Sequence, residues 1–339
     1  SGPLRTLRSD NASADFMSFR YRESSVSPGV QELRQWQNLA NAGAVSAFIV
    51  GRPDNHRDRS WEACKKVFAF HKAHEQELAG LTSAAEVLLV SKSQAGRSDP
   101  ESYGWIRALS AGHVPFDEAR TSGLSEALLR GKRLVILADA KDLGAEAAAL
   151  LDGFAQNGGT VLASGASGVR GKADSLRCLG LAGAAEKRSA LMSTVFSVSE
   201  EDAKRFVRCA GTPLIAPGDE LYAAELAEDA ETFFTLLPEP RFGPPEVCYA
   251  TAEEKIPGTT VRPFGEGRGI WVPWNCGAFY HAEGYTNTLN FMHDLLFGLC
   301  GLPQLAPKLH PSVELVLSQK ENTRVISLIN GSGYFGNSF

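Results

Sequence analysis

The most constraining feature of the sequence is a series of three short apolar runs separated by segments with helical periodicity. The runs are EVLLV (86–90), RLVILA (133–138) and TVLAS (160–164). Runs of this length, rich in Val, Ile and Leu and without polar alternation, are typical of parallel strands buried on both faces. VPFD (114–117) reads as a short edge strand, and GAEAAALLDGFAQNGG (144–159) as a helix that ends on paired glycines. The middle of the chain is therefore predicted to be a doubly wound, flavodoxin-like α/β domain with the three runs as adjacent central strands.

The N-terminal segment is predicted to run helix, strand, loop, helix. SPGVQELRQWQNLANAGA (27–44) begins with a capping Ser and a Pro that presets the first turn, and it carries an apolar stripe at helical spacing. VSAFIV (45–50) is predicted to be a parallel strand buried on both faces. The charged loop GRPDNHRDRS (51–60) then precedes a second helical segment over 60–80. Since ligands of α/β folds bind at the carboxyl ends of strands, this loop is a candidate binding loop.

The C-terminal half is less regular. Between residues 170 and 260 the periodicity weakens, and the prolines of LLPEPRFGPPEV (236–247) predict a meandering insertion. RGIWVPWNCGAFY (268–280) is predicted to be a strand, and YTNTLNFMHDLLFGLCG (285–301) an amphipathic helix that ends at Gly301. PSVELVLSQKENTRVISLIN (311–330) is predicted to be a hairpin with KENT as its turn.

Composition excludes several classes of function. The 339 residues, 43% of them hydrophobic, are enough for about two globular domains. A net charge of -5 lacks the basic excess that nucleic-acid binding requires, so nucleic acid is not expected as a partner. No apolar run approaches the ~20 residues of a membrane span, and the first residues lack the apolar core of a signal peptide. We therefore predict a cytoplasmic protein without membrane contact, although a chain that starts without Met leaves an upstream signal open.

The cysteines are scattered and form no CxxC pair, which argues against a metal cage or a disulfide framework. They are predicted to be buried free thiols in a reducing cytoplasm, and no metal or cofactor is expected. The six are Cys64, Cys178, Cys209, Cys248, Cys276 and Cys300.

Several segments resemble one group of enzymes. PGVQELRQWQNLANAGAVSAFIVGR (28–52) resembles the last barrel segments of glycoside hydrolase family 42 and of related hypothetical glycosyl hydrolase families. That resemblance implies the seventh helix and eighth strand of a TIM barrel. The middle segment looks like the beta-galactosidase trimerisation domain, which has a class I glutamine amidotransferase-like fold without amidotransferase chemistry. GRGIWVPWNCGAFYHAEGY (267–285) resembles its closing strand and loop, and residues 311–330 resemble the start of the C-terminal β domain.

The resemblance implies three parts. Residues 1–80 would be the C-terminal part of a TIM-barrel glycosidase domain, residues 81–305 an amidotransferase-like domain, and residues 306–339 the start of a β domain. A TIM barrel needs about 250 residues, so this chain looks like the C-terminal portion of a beta-galactosidase-like glycoside hydrolase and is predicted to be inactive alone. The middle domain would assist homo-oligomer assembly and wall the site for a carbohydrate substrate. The alternative is a stand-alone carbohydrate-binding or oligomerisation module.

Candidate site residues follow from that resemblance. Retaining glycosidases need two carboxylates about 5 Å apart, and the family's nucleophile would precede Pro28, where SADFMSFRYRES (13–24) offers Asp15 and Glu23. Neither residue falls clearly at the family's position, and two arginines lie between them. Polar side chains after the eighth strand would hold sugar hydroxyls, although a solvated loop with local Asp–Arg pairs is the competing interpretation. The predicted substrate-binding residues are Arg22, Arg52, Asp54, His56 and Asp58.

Three further motifs favour structural interpretations. His71 and His74 lack the HExxH spacing of a zinc site and fall in a predicted core-packed helix. LASGASG (162–168) lacks the order of a phosphate-binding loop and reads as a tight turn; amidotransferases carry their cysteine there, and this turn has none, which disfavours thiol catalysis. The aromatic side chains in residues 271–285 suit core or interface packing more readily than sugar stacking.

Overall fold

The computed structural model describes residues 13–14, 20, 26–43, 45–48, 60–92, 99–169, 176–239, 243–244, 246–249 and 252–332. The chain divides into two compact units. The first unit comprises Ser1–Ala85, His113–Asp117 and Ala306–Phe339, and the second comprises Glu86–Gly112 and Glu118–Leu305.

The helices and strands of the described residues are numbered along the chain. The helices are α1 (Pro28–Ala40), α2 (Ser60–Ala73), α3 (Glu75–Leu78), α4 (Pro100–Ala111), α5 (Glu126–Leu129), α6 (Ala145–Gln156), α7 (Glu200–Arg205), α8 (Cys276–Glu283) and α9 (Thr286–His293). The strands are β1 (Ser13–Ala14), β2 (Ala47–Phe48), β3 (Thr82–Ser83), β4 (Val87–Ser91), β5 (Phe116–Arg120), β6 (Leu134–Ala138), β7 (Thr160–Ser164), β8 (Glu186–Ser189), β9 (Val195–Ser197), β10 (Leu214–Ile215), β11 (Glu220–Ala223), β12 (Glu231–Phe233), β13 (Thr235–Leu237), β14 (Thr259–Phe264), β15 (Gly267–Val272), β16 (Val313–Lys320) and β17 (Thr323–Asn330).

The first unit contains a β-α-β element, in which α1 connects the parallel neighbours β1 and β2. Ser27 caps the helix by accepting a hydrogen bond at its Oγ from the Val30 N–H, and Pro28 occupies the first turn, as predicted. Helix α2 packs against α1, and the Trp36 and Phe70 rings meet edge to face with centroids 5.0 Å apart. The first predicted helix is therefore confirmed, and the second, predicted over 60–80, is α2 followed by the short helix α3.

The prediction that VSAFIV is buried on both faces is wrong for its described part. Only Ala47–Phe48 forms a strand there, and the Phe48 side chain is 50% exposed. Among the described residues β2 pairs with β1 alone, so one edge of the strand has no neighbour to enclose it.

The predicted C-terminal hairpin is confirmed. Strands β16 and β17 pair antiparallel in a register that puts Leu317 opposite Ile326, and β16 also pairs with β3. One face of the hairpin buries Val316 and Ile329, while Ile326 on the other face is 62% exposed. Alternation of this kind is expected of a sheet that covers a core on one side.

The second unit is built on a seven-stranded sheet of order β12-β14-β15-β7-β6-β4-β5. Strands β4, β6, β7 and β15 are parallel, whereas β12, β14 and β15 pair antiparallel. The prediction that the three apolar runs are adjacent parallel strands is confirmed, as is an edge position for β5. Numbered along the chain, β4, β5, β6, β7 and β15 stand in the flavodoxin-like order 2-1-3-4-5.

The apolar runs form this sheet because helices cover both of its faces. All five residues of β6 and of β7 are buried. One buried cluster joins side chains of β4, β6 and β7 to Leu151 and Ala155 of α6. Helix α4 packs on β4 and β6, and its Trp105 is fully buried. A mixed α/β fold with a large parallel sheet is thus established.

The insertion between β7 and β14 consists of short antiparallel pairs, β8 with β11 and β9 with β10 and β13. Two buried aspartates, here termed the aspartate clamps, hold single turns of it. Asp152 accepts from the N–H groups of Arg177 (3.2 Å) and Cys178 (2.9 Å). Asp294 accepts from those of Arg208 (2.8 Å) and Cys209 (3.1 Å). In each clamp the arginine side chain also donates to the same carboxylate.

The predicted strand over 268–280 is only partly correct. Strand β15 ends at Val272, and residues 276–283 form α8. Pro273 has no N–H to continue a ladder, and the Ala278 N–H donates instead to the Glu101 carboxylate (2.7 Å), which holds the first turn of a helix. The predicted helix over 285–301 is α9 followed by a π-helical turn, Asp294–Leu299.

None of the described helices is both long and apolar enough to cross a lipid bilayer.

Candidate functional site

The sequence-predicted site residues of the first unit lie outside the described residues. They fall in two stretches, one before α1 and one between β2 and α2. They are Asp15, Arg22, Glu23, Arg52, Asp54, His56 and Asp58.

The second unit gathers polar side chains at the carboxyl ends of its parallel strands, where α/β folds bind ligands. Asp139 follows β6, Gly165 follows β7, and Asn275 lies three residues after the end of β15. Lys141 Nζ lies 3.0 Å from Asp139 Oδ2, and Asn275 Nδ2 donates to Glu220 Oε1 over 3.0 Å. This group, completed by two more side chains, is termed the edge cluster. Its members are Asp139, Lys141, Lys187, Glu220, Tyr222 and Asn275.

The charged side chains of the edge cluster form ion pairs with one another. Lys187 Nζ lies 2.5 Å from Glu220 Oε2, and this hydrogen bond raises the pKa of Lys187. Burial lowers the pKa of Lys141, but the hydrogen bond and negative charge of Asp139 outweigh it and raise that pKa. Burial raises the pKa of Tyr222, so its phenol stays protonated at neutral pH. The cluster thus consists of two compensated ion pairs beside a neutral phenol.

The turn after β7 has no room for a nucleophile. Gly165 has φ +60°, and a Cβ atom there would lie 2.0 Å from Asn275 Oδ1 and 2.7 Å from Asp139 Oδ1. The tight turn predicted for LASGASG is therefore confirmed, and the side chains of the edge cluster fill the space above it. Asp139 itself has φ +46°, an uncommon conformation for a non-glycine residue.

The cysteine next to the edge cluster is a poor candidate for a nucleophile at this site. All six cysteines are free, and four of them are buried. Cys276 lies next to the edge cluster along the chain, but burial and the nearby Glu101 carboxylate raise its pKa well above the usual value. Since the thiolate is the reactive form, this shift disfavours Cys276 as a nucleophile.

Glu101 is a buried carboxyl group with a raised pKa, which the sequence analysis did not identify. It lies in the first turn of α4, is 3% exposed, and its Oε1 accepts from Ser164 Oγ (2.6 Å) and Trp105 Nε1 (2.9 Å). Burial raises its pKa to about 7, against the opposing effect of the Ser164 hydrogen bond. In sequence it reads only as an acidic residue near a helix start, which is common on surfaces. Because its carboxylate accepts hydrogen bonds from α4, α8 and β7 and so ties these elements together, we assign it a structural role.

The aromatic segment 271–285 divides between core and surface. Trp271 and Trp274 are buried and donate through Nε1 to the carbonyls of Gly165 (3.1 Å) and Gly258 (3.1 Å). Tyr285, by contrast, is 54% exposed. Core packing therefore accounts for the tryptophans.

His71 lies in α2, and His74 follows directly after that helix. No group of three or more potential metal ligands occurs in the part of the chain that the structure describes. The His74 ring instead contacts Phe70 of α2, with centroids 4.5 Å apart.

The first unit also contains a cavity of about 570 Å³ between α1 and β17. Its walls are mainly apolar and include Leu33, Trp36 and Phe70. Glu32 at its edge is bonded to Lys66 and to the Trp36 indole, which hold the pKa of Glu32 below its usual value.

Comparison with known proteins finds chains with a similar fold. No protein-family model matches the sequence, and no curated protein is significantly similar to it. Among solved structures, alpha-L-fucosidase isoenzyme 2 from Paenibacillus thiaminolyticus matches with TM-score 0.67 and 18% identity, over 94% of this chain and 49% of that chain. A beta-galactosidase from Bacillus circulans sp. alkalophilus matches with TM-score 0.67 and 18% identity, over 91% and 47%.

A catalytic mutant of a GH42 beta-galactosidase from G. stearothermophilus matches with TM-score 0.63 and 15% identity, over 91% of this chain and 46% of that chain. The chain therefore has a fold similar to that of glycoside hydrolases of this type, as the sequence resemblance implied. It spans about half the length of the solved structures that it matches.

Proposed function

We propose that the chain is the C-terminal portion of a beta-galactosidase-like glycoside hydrolase that acts on a carbohydrate. The observation that carries this proposal is the fold likeness, which extends over 94% of this chain but only 49% of the fucosidase. Residues 1–80 contribute the tail of a TIM barrel, residues 81–305 an amidotransferase-like accessory domain, and residues 306–339 the start of a β domain.

The order β1, α1, β2, α2 supports the barrel assignment. Parallel strands joined by a helix, with a further helix after the second strand, form the repeating unit of a (β/α)8 barrel. In this proposal Asp15 or Glu23 is the nucleophile. The side chains that hold sugar hydroxyls are Arg22, Arg52, Asp54, His56 and Asp58.

The edge cluster supports a non-catalytic role for the accessory domain. The strand order of the accessory domain is compatible with an amidotransferase-like fold. Gly165, however, occupies the turn where a nucleophile would stand, and the side chains of the edge cluster leave no room for a side chain there. An accessory domain without chemistry serves assembly of a homo-oligomer and walls the active site.

The test is hydrolysis of aryl galactosides, fucosides and arabinosides by the purified 339-residue chain. We expect no turnover above background, because one carboxylate of a catalytic pair provides little rate enhancement alone. Turnover that Glu23→Gln or Asp15→Asn abolishes would overturn the assignment of the chain as an incomplete enzyme.

The competing function is a stand-alone carbohydrate-binding or oligomerisation module. Reading the gene upstream of Ser1 separates the two: a continuous barrel with a carboxylate pair supports the glycosidase, and an immediate start codon supports the module. A glutaminase assay that detects ammonia addresses the thiol-dependent alternative, for which we expect no product.

A further inference from the structure

A compact aromatic surface lies where α4 and α8 pack together in the second unit. The Tyr103 and His281 rings are neighbours, with centroids 5.5 Å apart, and Tyr103 is 42% exposed. One turn along α4, the Arg107 guanidinium lies over the Tyr280 ring at 4.9 Å from its centroid. These four residues, Tyr103, Arg107, Tyr280 and His281, are termed the α4–α8 platform.

The platform stands on a close contact between α4 and α8. A Cβ on Gly104 would lie 1.8 Å from the Gly277 carbonyl oxygen, so only glycine permits this approach. Glu101, one turn earlier in α4, accepts from the Ala278 N–H and fixes the start of α8. Groups that are fixed by packing lose little conformational entropy when they bind a ligand.

Arg107 carries a positive charge without a carboxylate partner in the described part of the chain. Its Nη1 donates to the His281 carbonyl over 3.0 Å, and its Cζ lies over the Tyr280 ring. These two contacts orient the guanidinium, and within the described residues they bring no carboxylate to its charge. An oriented guanidinium is well suited to a bidentate pair with a carboxylate.

From this arrangement we propose that the α4–α8 platform binds a pyranose ring that bears a carboxylate, as in a uronic acid residue of an acidic saccharide. The apolar face of the sugar stacks on the exposed Tyr103 and His281 rings. The carboxylate pairs with Arg107. The proposal goes beyond the proposed function, because it concerns binding outside the barrel and does not require hydrolysis.

A saccharide fits this surface better than a second copy of the chain. Stable protein interfaces bury about 800 Å² per partner around an apolar centre. The neighbouring outward positions on the two helices, among them Ser110, Ala282 and Glu283, are small or polar. These positions add little apolar area to the two rings, and a surface of that size matches one or two sugar units.

The test compares two ligands that differ only at C6, methyl galacturonide and methyl galactoside, by saturation-transfer NMR and titration of the full chain. We expect the galacturonide to bind about tenfold more tightly, as one charge-assisted pair implies. Arg107→Gln should remove this preference while weak binding of the galactoside persists. Tyr103→Ala should abolish binding of both.

The controls are Arg130→Gln and Tyr249→Ala, which remove an exposed arginine and a 62%-exposed tyrosine elsewhere and should change neither titration. Equal binding of the two ligands, no saturation transfer to either, or the same loss in the controls would overturn the proposal. A change in sedimentation of Tyr103→Ala without any saccharide effect would also overturn it and identify the platform as a contact between copies. Aryl glycoside hydrolysis, measured separately, reports on the proposed function alone.

Discussion

Glu101 should make the stability of the second unit depend on pH near neutrality. Its pKa is about 7 in the folded state against 4.5 for an unperturbed glutamate, so the folded state binds the proton more tightly. The stabilisation is therefore fully present below pH 4.5 and is lost as the pH rises through 7, by about 3 kcal/mol in all. Glu101→Gln has no proton to lose, so we expect this pH dependence to disappear from urea unfolding curves measured at pH 5 and pH 8.

The absolute stability of this variant is not the readout, because Gln has one acceptor oxygen where the carboxylate has two. It therefore loses the hydrogen bond from either the Ala278 N–H or the Trp105 indole at every pH. Glu62→Gln, which alters an exposed pair with Lys65, is the control. If Glu101→Gln and the unaltered chain lose the same unfolding free energy between the two pH values, Glu101 is ionised in the fold and the assignment fails.

Two glycines provide a matched pair that tests the turn after β7. Gly165→Ala adds a Cβ at positive φ within 2.0 Å of Asn275 Oδ1 and should destabilise the chain by roughly 2 kcal/mol or more. Gly153→Ala lies in α6 with nothing within 4 Å of the new Cβ, and it should stabilise by about 0.5–1 kcal/mol. Thermal unfolding of the two variants measures both effects. A neutral Gly165→Ala would show that the edge cluster can move aside.

At the scale of elements, the aspartate clamps should secure the insertion to the sheet unit. Asp152→Asn turns an NH2 group toward one of the two backbone N–H donors, because these donors use different carboxylate oxygens. Both backbone donors of the second clamp use one oxygen, so Asp294→Ala is the variant that removes their acceptor. Each change should cost about 2 kcal/mol because buried donors lose their acceptor. Hydrogen exchange should rise locally at Cys178 in the first variant and at Cys209 in the second. Glu201→Gln, which alters an exposed pair with Lys204, should leave both regions unchanged. Global unfolding without a local effect would contradict the clamp interpretation.

The elements that could be predicted from sequence are those with a local signal. Strands β4, β6 and β7 are continuous apolar runs, and α1 has both a cap and a Pro at its start. Helix α8 was missed because its first turn is stabilised by Glu101, which is 177 positions away from Ala278. The edge cluster was missed for the same reason: Lys187 and Glu220 come from an insertion with weak periodicity, and only the pairing of β8 with β11 brings them together.

At the scale of the whole molecule, we expect the purified chain to self-associate. If residues 1–80 are the tail of a barrel, β2 is a strand that lacks a neighbour on one side, and unpaired strand edges with exposed apolar side chains favour association. Phe48 is already 50% exposed in the described structure. Light scattering together with hydrogen exchange at Ala47 and Phe48 measures this. A clean monomer with strong protection of both amides would mean that the first unit is complete as it stands.

The discontinuity of the first unit has a consequence for synthesis on the ribosome. Strand β3 pairs with β16, so the pairing of Thr82 with Gln319 can form only after Gln319 has been synthesised. The intervening residues 86–305 belong almost entirely to the second unit, and at about 5–20 residues per second they take roughly 10–40 s to emerge. During that interval the second unit can fold alone, while the apolar stripe of α1 has no hairpin to cover it. A chaperone is therefore most needed by the nascent N-terminal segment during this interval.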